Sequence, residues 1–256
     1  MLEIAGQNLD YLAIHHYYGL TEMKDDPLNL MAHPLAYEPF YKRMQQLIRD
    51  VVPGHEIKLI VNEWNTFLPV PRQHSMESAL YGARLMNVFE RSGDIVEMTS
   101  VSDLVNGWPG GIIQVSRHGV FVTPTYLAIS LYNEHLGTER LAVKVESPTF
   151  DSSLEGRGVP YLDVVATRSS DGKHIFVKAV NTDIARSLTT KVSSPGTRIA
   201  AMAEIESVTA PSLSAANSFS TPEAVSVRRS EVRAGSAFDV ELPAHSVSVI
   251  SLDVEE

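Results

Sequence analysis

The ten residues Lys58–Phe67, KLIVNEWNTF, contain the conflict on which the reading of the chain turns. Lys58 to Val61 has the continuous apolar character of a short buried β-strand, with Leu59, Ile60 and Val61 in a row. The run then meets Asn62, Glu63, Trp64 and Asn65. A carboxylate buried without a partner is strongly destabilising. Either Glu63 leaves the core here and meets water, or the strand ends on a catalytic carboxylate, as barrel strands do at their C-terminal ends.

The neighbouring segments alternate. Upstream, LDYLAIHHYY reads as a strand from Leu12 to Ile14, followed by a polar loop, GLTEMKDDPLNL, in which Glu22, Asp25 and Asp26 read as solvated. In YEPFYKRMQQLIRDVV, residues Phe40, Met44, Leu47, Ile48 and Val51 recur at helical spacing, and PGHE breaks that helix. Downstream, HSMESALYGARLMNVFERSG predicts a second helix ending at Ser92 and Gly93. Asp94–Val101 predicts a strand, and TPTYLAISLYNEHLG a helix stopping at Gly137. Such alternation implies parallel α/β architecture, as an open sheet or a barrel.

Past Leu141 the rhythm changes to short β-branched runs: LAVKVES, YLDVVATRS, HIFVKAVN, RIAAMAEI, EAVSVRRSEV and AFDVEL. Turn clusters such as SSDGK, SSPGT and RAGS separate them. In HSVSVISLDV, apolar residues alternate with Ser as in a half-buried strand. This half predicts an all-β sandwich. The expected division is residues 1–138 and 139–256.

Composition narrows the function. The 256 residues are 44% hydrophobic and 20% charged, which is globular composition. A formal net charge of −10 provides no basic surplus for phosphates and argues against a nucleic-acid partner. With no cysteine, disulfides and thiolate metal sites are excluded. No stretch is long and apolar enough for a membrane helix, and the N-terminus lacks signal-peptide features.

Three consecutive predicted strands end in similar chemistry. The first runs into His15, His16, Tyr17 and Tyr18, the second into Asn62–Asn65, and the third into Ser102, Asp103, Asn106 and Trp108. Sugar sites use aromatic faces against C–H patches, amides and imidazoles on hydroxyls, and carboxylates as acid, base or nucleophile. Other chemistries fit less well. His33, His55, His74 and His118 lack metal-ligand spacing, WPGGI is no nucleotide loop, and no Gly-x-Ser-x-Gly elbow exposes a serine.

With these motifs the chain resembles the α-L-arabinofuranosidases of glycoside hydrolase family 51. The resemblance rests on DYLAIHHYYG, NEWN, LVNGW (Leu104–Trp108), TPTYLAISLYNEHLG and AANS…ELPAHSVSVISL. It implies the C-terminal part of a (β/α)8 barrel, about strands six to eight, followed by a jelly-roll-like β-sandwich. It places Glu63 at the nucleophile's position and His15 and Tyr17 at substrate-contacting positions. Asn62 and Asn65 are expected to orient Glu63, Trp64 and Phe67 to wall the pocket, and Asp103 and Trp108 to face the sugar. The chain departs from the family at Phe67, where Trp is common, and at Asp103, where some members have Gln.

The family's acid/base lies in a Gly-Asn-Glu motif that these residues lack; Asn133-Glu134 lies inside a predicted helix. The resemblance therefore implies the C-terminal segment of a retaining enzyme, with a partial barrel less secure than the sandwich. It implies no metal or organic cofactor, an arabinose-containing oligo- or polysaccharide as partner, and a homo-oligomer in the intact enzyme. Cytoplasmic placement is expected. A non-catalytic carbohydrate-binding or assembly fragment and an endoglucanase-like member of the family are the alternative readings.

Overall fold

Strand and helix alternate through the first half because each parallel strand needs a crossover to return the chain to the same edge. In the computed structural model, which describes residues 1–255, β1 (Tyr11–Gly19), β2 (Lys58–Phe67) and β3 (Val96–Val101) form a parallel sheet in that order. Helix α1 (Leu2–Ala5) precedes β1, α2 (Pro27–Ala32) and α3 (Tyr37–Val51) lie between β1 and β2, and α4 (Met76–Arg91) joins β2 to β3. The hairpin β4 (Ile113–Ser116) and β5 (Gly119–Val122) follows, then α5 (Pro124–Glu134). Caps fix the helix starts. Asp26 accepts the Leu28 amide at 2.9 Å, and Thr123 accepts the Tyr126 amide at 3.3 Å with Pro124 at the first helical position.

The loop expected to be solvated is partly engaged. Asp26 caps α2, and Asp25 pairs with Arg72 at 2.5 Å. β2 also continues past Val61 to Phe67, because β1 runs beside it to Gly19 and supplies ladder partners from Glu63 to Phe67. Gly137 does not end α5 by backbone freedom. The helix stops at Glu134, and Gly137 is required where the chain passes Thr167, whose Cβ and Oγ1 would both lie 2.4 Å from an added Cβ.

The second half is β throughout the described residues. Strands β6 (Glu139–Leu141), β9 (Leu162–Arg168), β10 (His174–Asn181), β12 (Ile199–Thr209), β13 (Ser226–Arg233) and β15 (Ser246–Val254) build a six-stranded antiparallel sheet ordered β13-β12-β15-β10-β9-β6. A hairpin, β7 (Thr149–Ser152) and β8 (Gly156–Pro160), precedes β9, and β11 (Leu188–Ser193) pairs with β14 (Ala237–Leu242). LAVKVES does not become a strand beyond Leu141; residues 142–148 lack a ladder.

β15 is buried on both faces rather than one. Val247 and Val249 join the core built on α4 and α5, while Ile250 and Leu252 pack with Val240, Leu242 and Leu162 toward the β11–β14 pair. One apolar cluster thus runs from Leu59, Val61, Leu80 and Leu85 of the α/β half to Phe150, Val180, Val208 and Val247 of the sandwich half.

Charged groups are buried along this seam. Arg84 of α4 has no solvent exposure and donates to the Met31 carbonyl at 2.7 Å and the Pro160 carbonyl at 2.5 Å. Arg91 reaches Asp163 at 2.8 Å and Glu38 at 3.0 Å. Lys178 of β10, also buried, donates to Glu90 and lies over the Tyr132 ring. Burial lowers the Arg84 guanidinium to about 10 and raises the Glu90 carboxyl, despite the nearby Lys178.

Candidate active site

A bulge sets which way Glu63 points. β1 and β2 pair Ile14 with Val61 and then His15 with Glu63, leaving Asn62 as the extra residue. Were the ladder unbroken, with Asn62 paired to His15, Glu63 would pair with His16 and face the helices. With the bulge, Val61 and Trp64 both lie in the core, and Glu63 stands on the open face beside His15. Period-two alternation on β1 does the rest: His15 and Tyr17 are exposed, whereas His16 and Tyr18 are buried.

The open face brings three groups together. The Tyr17 hydroxyl donates to Glu63 Oε2 at 2.6 Å, and His15 Nδ1 lies 3.6 Å from the same oxygen. Burial, and then the bond to the Glu63 carboxylate, raise the Tyr17 phenol above its usual range. Asp103 is partly buried beside Ser102 and close enough to Tyr17 to add to that effect. Tyr17 also meets Trp108 edge-on at 6.1 Å, and Trp108 stacks on Phe67 at 5.2 Å. Phe67 is 64% exposed, so this aromatic pair is open to solvent on the Glu63 side of the sheet.

Other expected site residues lie elsewhere. Trp64 is 3% exposed and packs edge-on against Phe89 at 6.0 Å, with its indole on Gly82 of α4. It is a core residue and walls no pocket, because it sits one position from Glu63 on a strand and faces the other way. Asn62 acts through its backbone as the bulge residue, its side chain exposed. Asn65, 2% exposed, turns from Glu63 to the loop after β3: it donates to the Ser102 carbonyl and to the Gly110 carbonyl at 3.0 Å, and accepts from Gln73 Nε2 at 3.0 Å and the Thr66 amide at 2.9 Å.

Sequence reasoning passed over the groups that hold this loop. His74 hydrogen-bonds the Pro109 carbonyl at 2.6 Å, and Gln73 links Asn65 to the Leu68 amide. Gly110 is obligatory because the Trp108 indole lies across it, 2.2 Å from where a Cβ would sit. Neither His74 nor Gln73 belongs to a recognisable motif. Their role emerges only when the chain returns to the strand end.

His16 stacks on Tyr37 at 3.8 Å, and its Nε2 has no partner among the described residues. Burial lowers this imidazole to about 4, so it is neutral at pH 7. Among the described residues no group of three or more His, Cys, Asp or Glu could hold a metal ion, and no helix is long and apolar enough to cross a membrane. A cleft of about 620 Å³ lies in the sandwich between the β9–β10 face and β11, apart from Glu63.

Asn62 and Glu63 open the stretch that matches a protein family, while His15 and Tyr17 on β1 lie before it. The model described as "Alpha-L-arabinofuranosidase C-terminal domain" matches residues 62–246. The chain belongs to this family. Its fold is shared with solved structures: an α-L-arabinofuranosidase from Thermotoga maritima in complex with arabinose (23% identity, TM-score 0.87, 98% of this chain and 54% of that one) and a thermostable one from Thermotoga petrophila (22%, 0.86, 98% and 54%). A third, from Xanthomonas axonopodis pv. citri, is 23% identical with TM-score 0.85, covering 99% of this chain and 55% of that one. The chain spans about half the length of these proteins. No curated protein matches it.

Proposed function

We propose that this arabinofuranosidase-family chain carries the nucleophile side of a retaining α-L-arabinofuranosidase, acting on terminal arabinofuranosyl groups of arabinosides or hemicellulose. The supporting observation is the Glu63 carboxylate, turned to the open face by the Asn62 bulge and held by Tyr17 at 2.6 Å with His15 at 3.6 Å. In this reading β1–β3 are about strands six to eight of a (β/α)8 barrel in residues 1–138, and residues 139–256 are its sandwich.

Glu63 attacks the anomeric carbon as the bond to the leaving oxygen breaks, giving a glycosyl ester. The leaving oxygen takes its proton from a second carboxylic acid about 5–5.5 Å away, which lies outside these residues. Water then attacks the same carbon, giving its proton to that second group, by then a carboxylate, and Glu63 departs as a carboxylate. Tyr17 and His15 keep the nucleophile oriented and contact sugar hydroxyls, and Phe67 with Trp108 covers apolar faces of the substrate.

Release of nitrophenol from an aryl α-L-arabinofuranoside tests this, since that leaving group needs little protonation. The expected result is a burst from the wild-type chain that is absent in Glu63→Ala. Folded wild type that binds arabinoside and releases nothing would favour a non-catalytic carbohydrate-binding fragment. Cleavage of β-glucan instead of the arabinoside would favour the endoglucanase-like reading.

A further inference from the structure

Residues 210–225 leave β12 and return to β13 by way of the α/β half. The carbonyls of Ala215 and Leu213 accept the Met76 and Glu77 amides at 2.9 and 3.1 Å, two donors of α4's first turn that the helix cannot satisfy itself. Ala216 bridges Ser75 alongside them. Asn217, 3% exposed, closes the loop and grips the β4–β5 hairpin with one side chain. Its Oδ1 accepts the Val225 amide at 2.7 Å, and its Nδ2 donates to the Val225 carbonyl at 3.0 Å and the Val122 carbonyl at 2.9 Å. Phe219 packs edge-on against Phe121, ring centroids 4.8 Å apart.

Two lines of contact run from here to the loop that carries Trp108. One passes through Val122 to its neighbour Thr123, whose amide donates to the Ile112 carbonyl at 2.9 Å. The other passes through Phe121 to His74, 6.0 Å away edge-on, and from His74 to the Pro109 carbonyl at 2.6 Å. They meet the loop on the C-terminal side of Trp108, while Asn65 holds it at Ser102 and Gly110.

We propose that Asn217 is a positioning residue of the candidate site: with Phe219 it braces the hairpin so that Trp108 is held against Phe67 on the Glu63 side of the sheet. The sandwich half thereby sets the geometry of an aromatic wall to which it contributes no side chain. The proposal rests on the assignment of Glu63, Phe67 and Trp108 to one site, but its test does not depend on hydrolysis.

The chain has two tryptophans, Trp64 in the core and Trp108 in the loop. Subtracting the Trp108→Phe spectrum from that of the wild type isolates Trp108 emission, and the same subtraction applies in each variant. In Asn217→Ala and Phe219→Ala, Trp108 emission shifts to the red and acrylamide quenches it more strongly than in the wild type. Trp64 emission and far-ultraviolet circular dichroism stay as in the wild type. Asn217→Asp keeps an acceptor for the Val225 amide but cannot donate to Val122, so it behaves as Asn217→Ala.

Folded variants whose Trp108 emission and quenching equal those of the wild type would overturn the proposal. Should Asn217→Ala fail to fold, Phe219→Ala decides alone, since Phe219 is 44% exposed and its loss leaves the core intact. Absence of arabinoside hydrolysis would defeat the catalytic reading and leave these optical outcomes unaffected.

Discussion

Replacing His16 by Phe makes the protein more resistant to acid. His16 is 4% exposed, stacked on Tyr37, with Phe40 and Tyr41 around it, and its imidazole is lowered from 6.5 to about 4, first by burial and then by His33 and His15 nearby, against a hydrogen bond to the His15 backbone. Between these two values the unfolded chain binds the proton and the folded chain does not, so stability falls as pH falls through this window. The loss attributable to this one ring is about 2 kcal/mol at pH 5 and about 3 kcal/mol at pH 4 relative to pH 7. Phe keeps the stacking and gives up one backbone hydrogen bond, so at pH 7 the variant lies within about 1 kcal/mol of the wild type. Urea unfolding at pH 7, 6, 5 and 4 measures the difference directly, since carboxylate contributions common to both proteins cancel. The gap in favour of His16→Phe should widen by the amounts above. Parallel stability curves from pH 7 to pH 4 would refute the assignment of a buried, neutral His16.

Lys178→Met strands the Glu90 carboxyl, already raised by burial, and costs about 3–5 kcal/mol in urea unfolding. Adding Glu90→Leu recovers most of that loss, because the pair is then replaced by apolar packing. Gly137→Ala forces a Cβ to within 2.4 Å of Thr167 and 2.8 Å of the Arg168 carbonyl. It destabilises by about 1–3 kcal/mol, read as a fall in Tm of about 2–4 °C per kcal/mol.

The parallel order of the first half was legible because its helices carry clear 3.6-residue periodicity and its strands are continuous apolar runs. The strands HIFVKAVN and AFDVEL appear with the expected boundaries for the same reason: local pattern and tertiary partner agree. The hairpin Thr149–Pro160 was not legible. It is short, polar and glycine-bearing, with Gly156 and Gly158 at positive φ, and its ladder is internal. β11 was missed because LTTKVS becomes a strand only beside β14. Conversely, LAVKVES has the strand pattern and no partner to satisfy it.

In the site, residue identity at strand ends marked His15 to Tyr18 and Asn62 to Asn65 as clusters, and the family resemblance singled out His15, Tyr17 and Glu63, yet the direction of the side chains around Glu63 was hidden by one extra residue. The Asn62 bulge shifts the alternation, moving Trp64 into the core and Glu63 out of it. A bulge is a property of two paired strands, and neither strand's sequence alone declares it.

The apolar cluster shared by α4 and the six-stranded sheet, with Arg84, Arg91 and Lys178 along it, also limits how such a molecule can be taken apart. A cut between residues 138 and 139 would leave α4 without the wall that covers Leu80 and Leu85, and β15 without cover for Val247 and Val249. Each fragment would carry buried charges away from their counterparts. Recombination with another arabinofuranosidase-like scaffold would therefore have to transplant α4 together with the sandwich, or rebuild the seam on both sides at once. In such an architecture the unit that can be exchanged is larger than either layer seen in the topology.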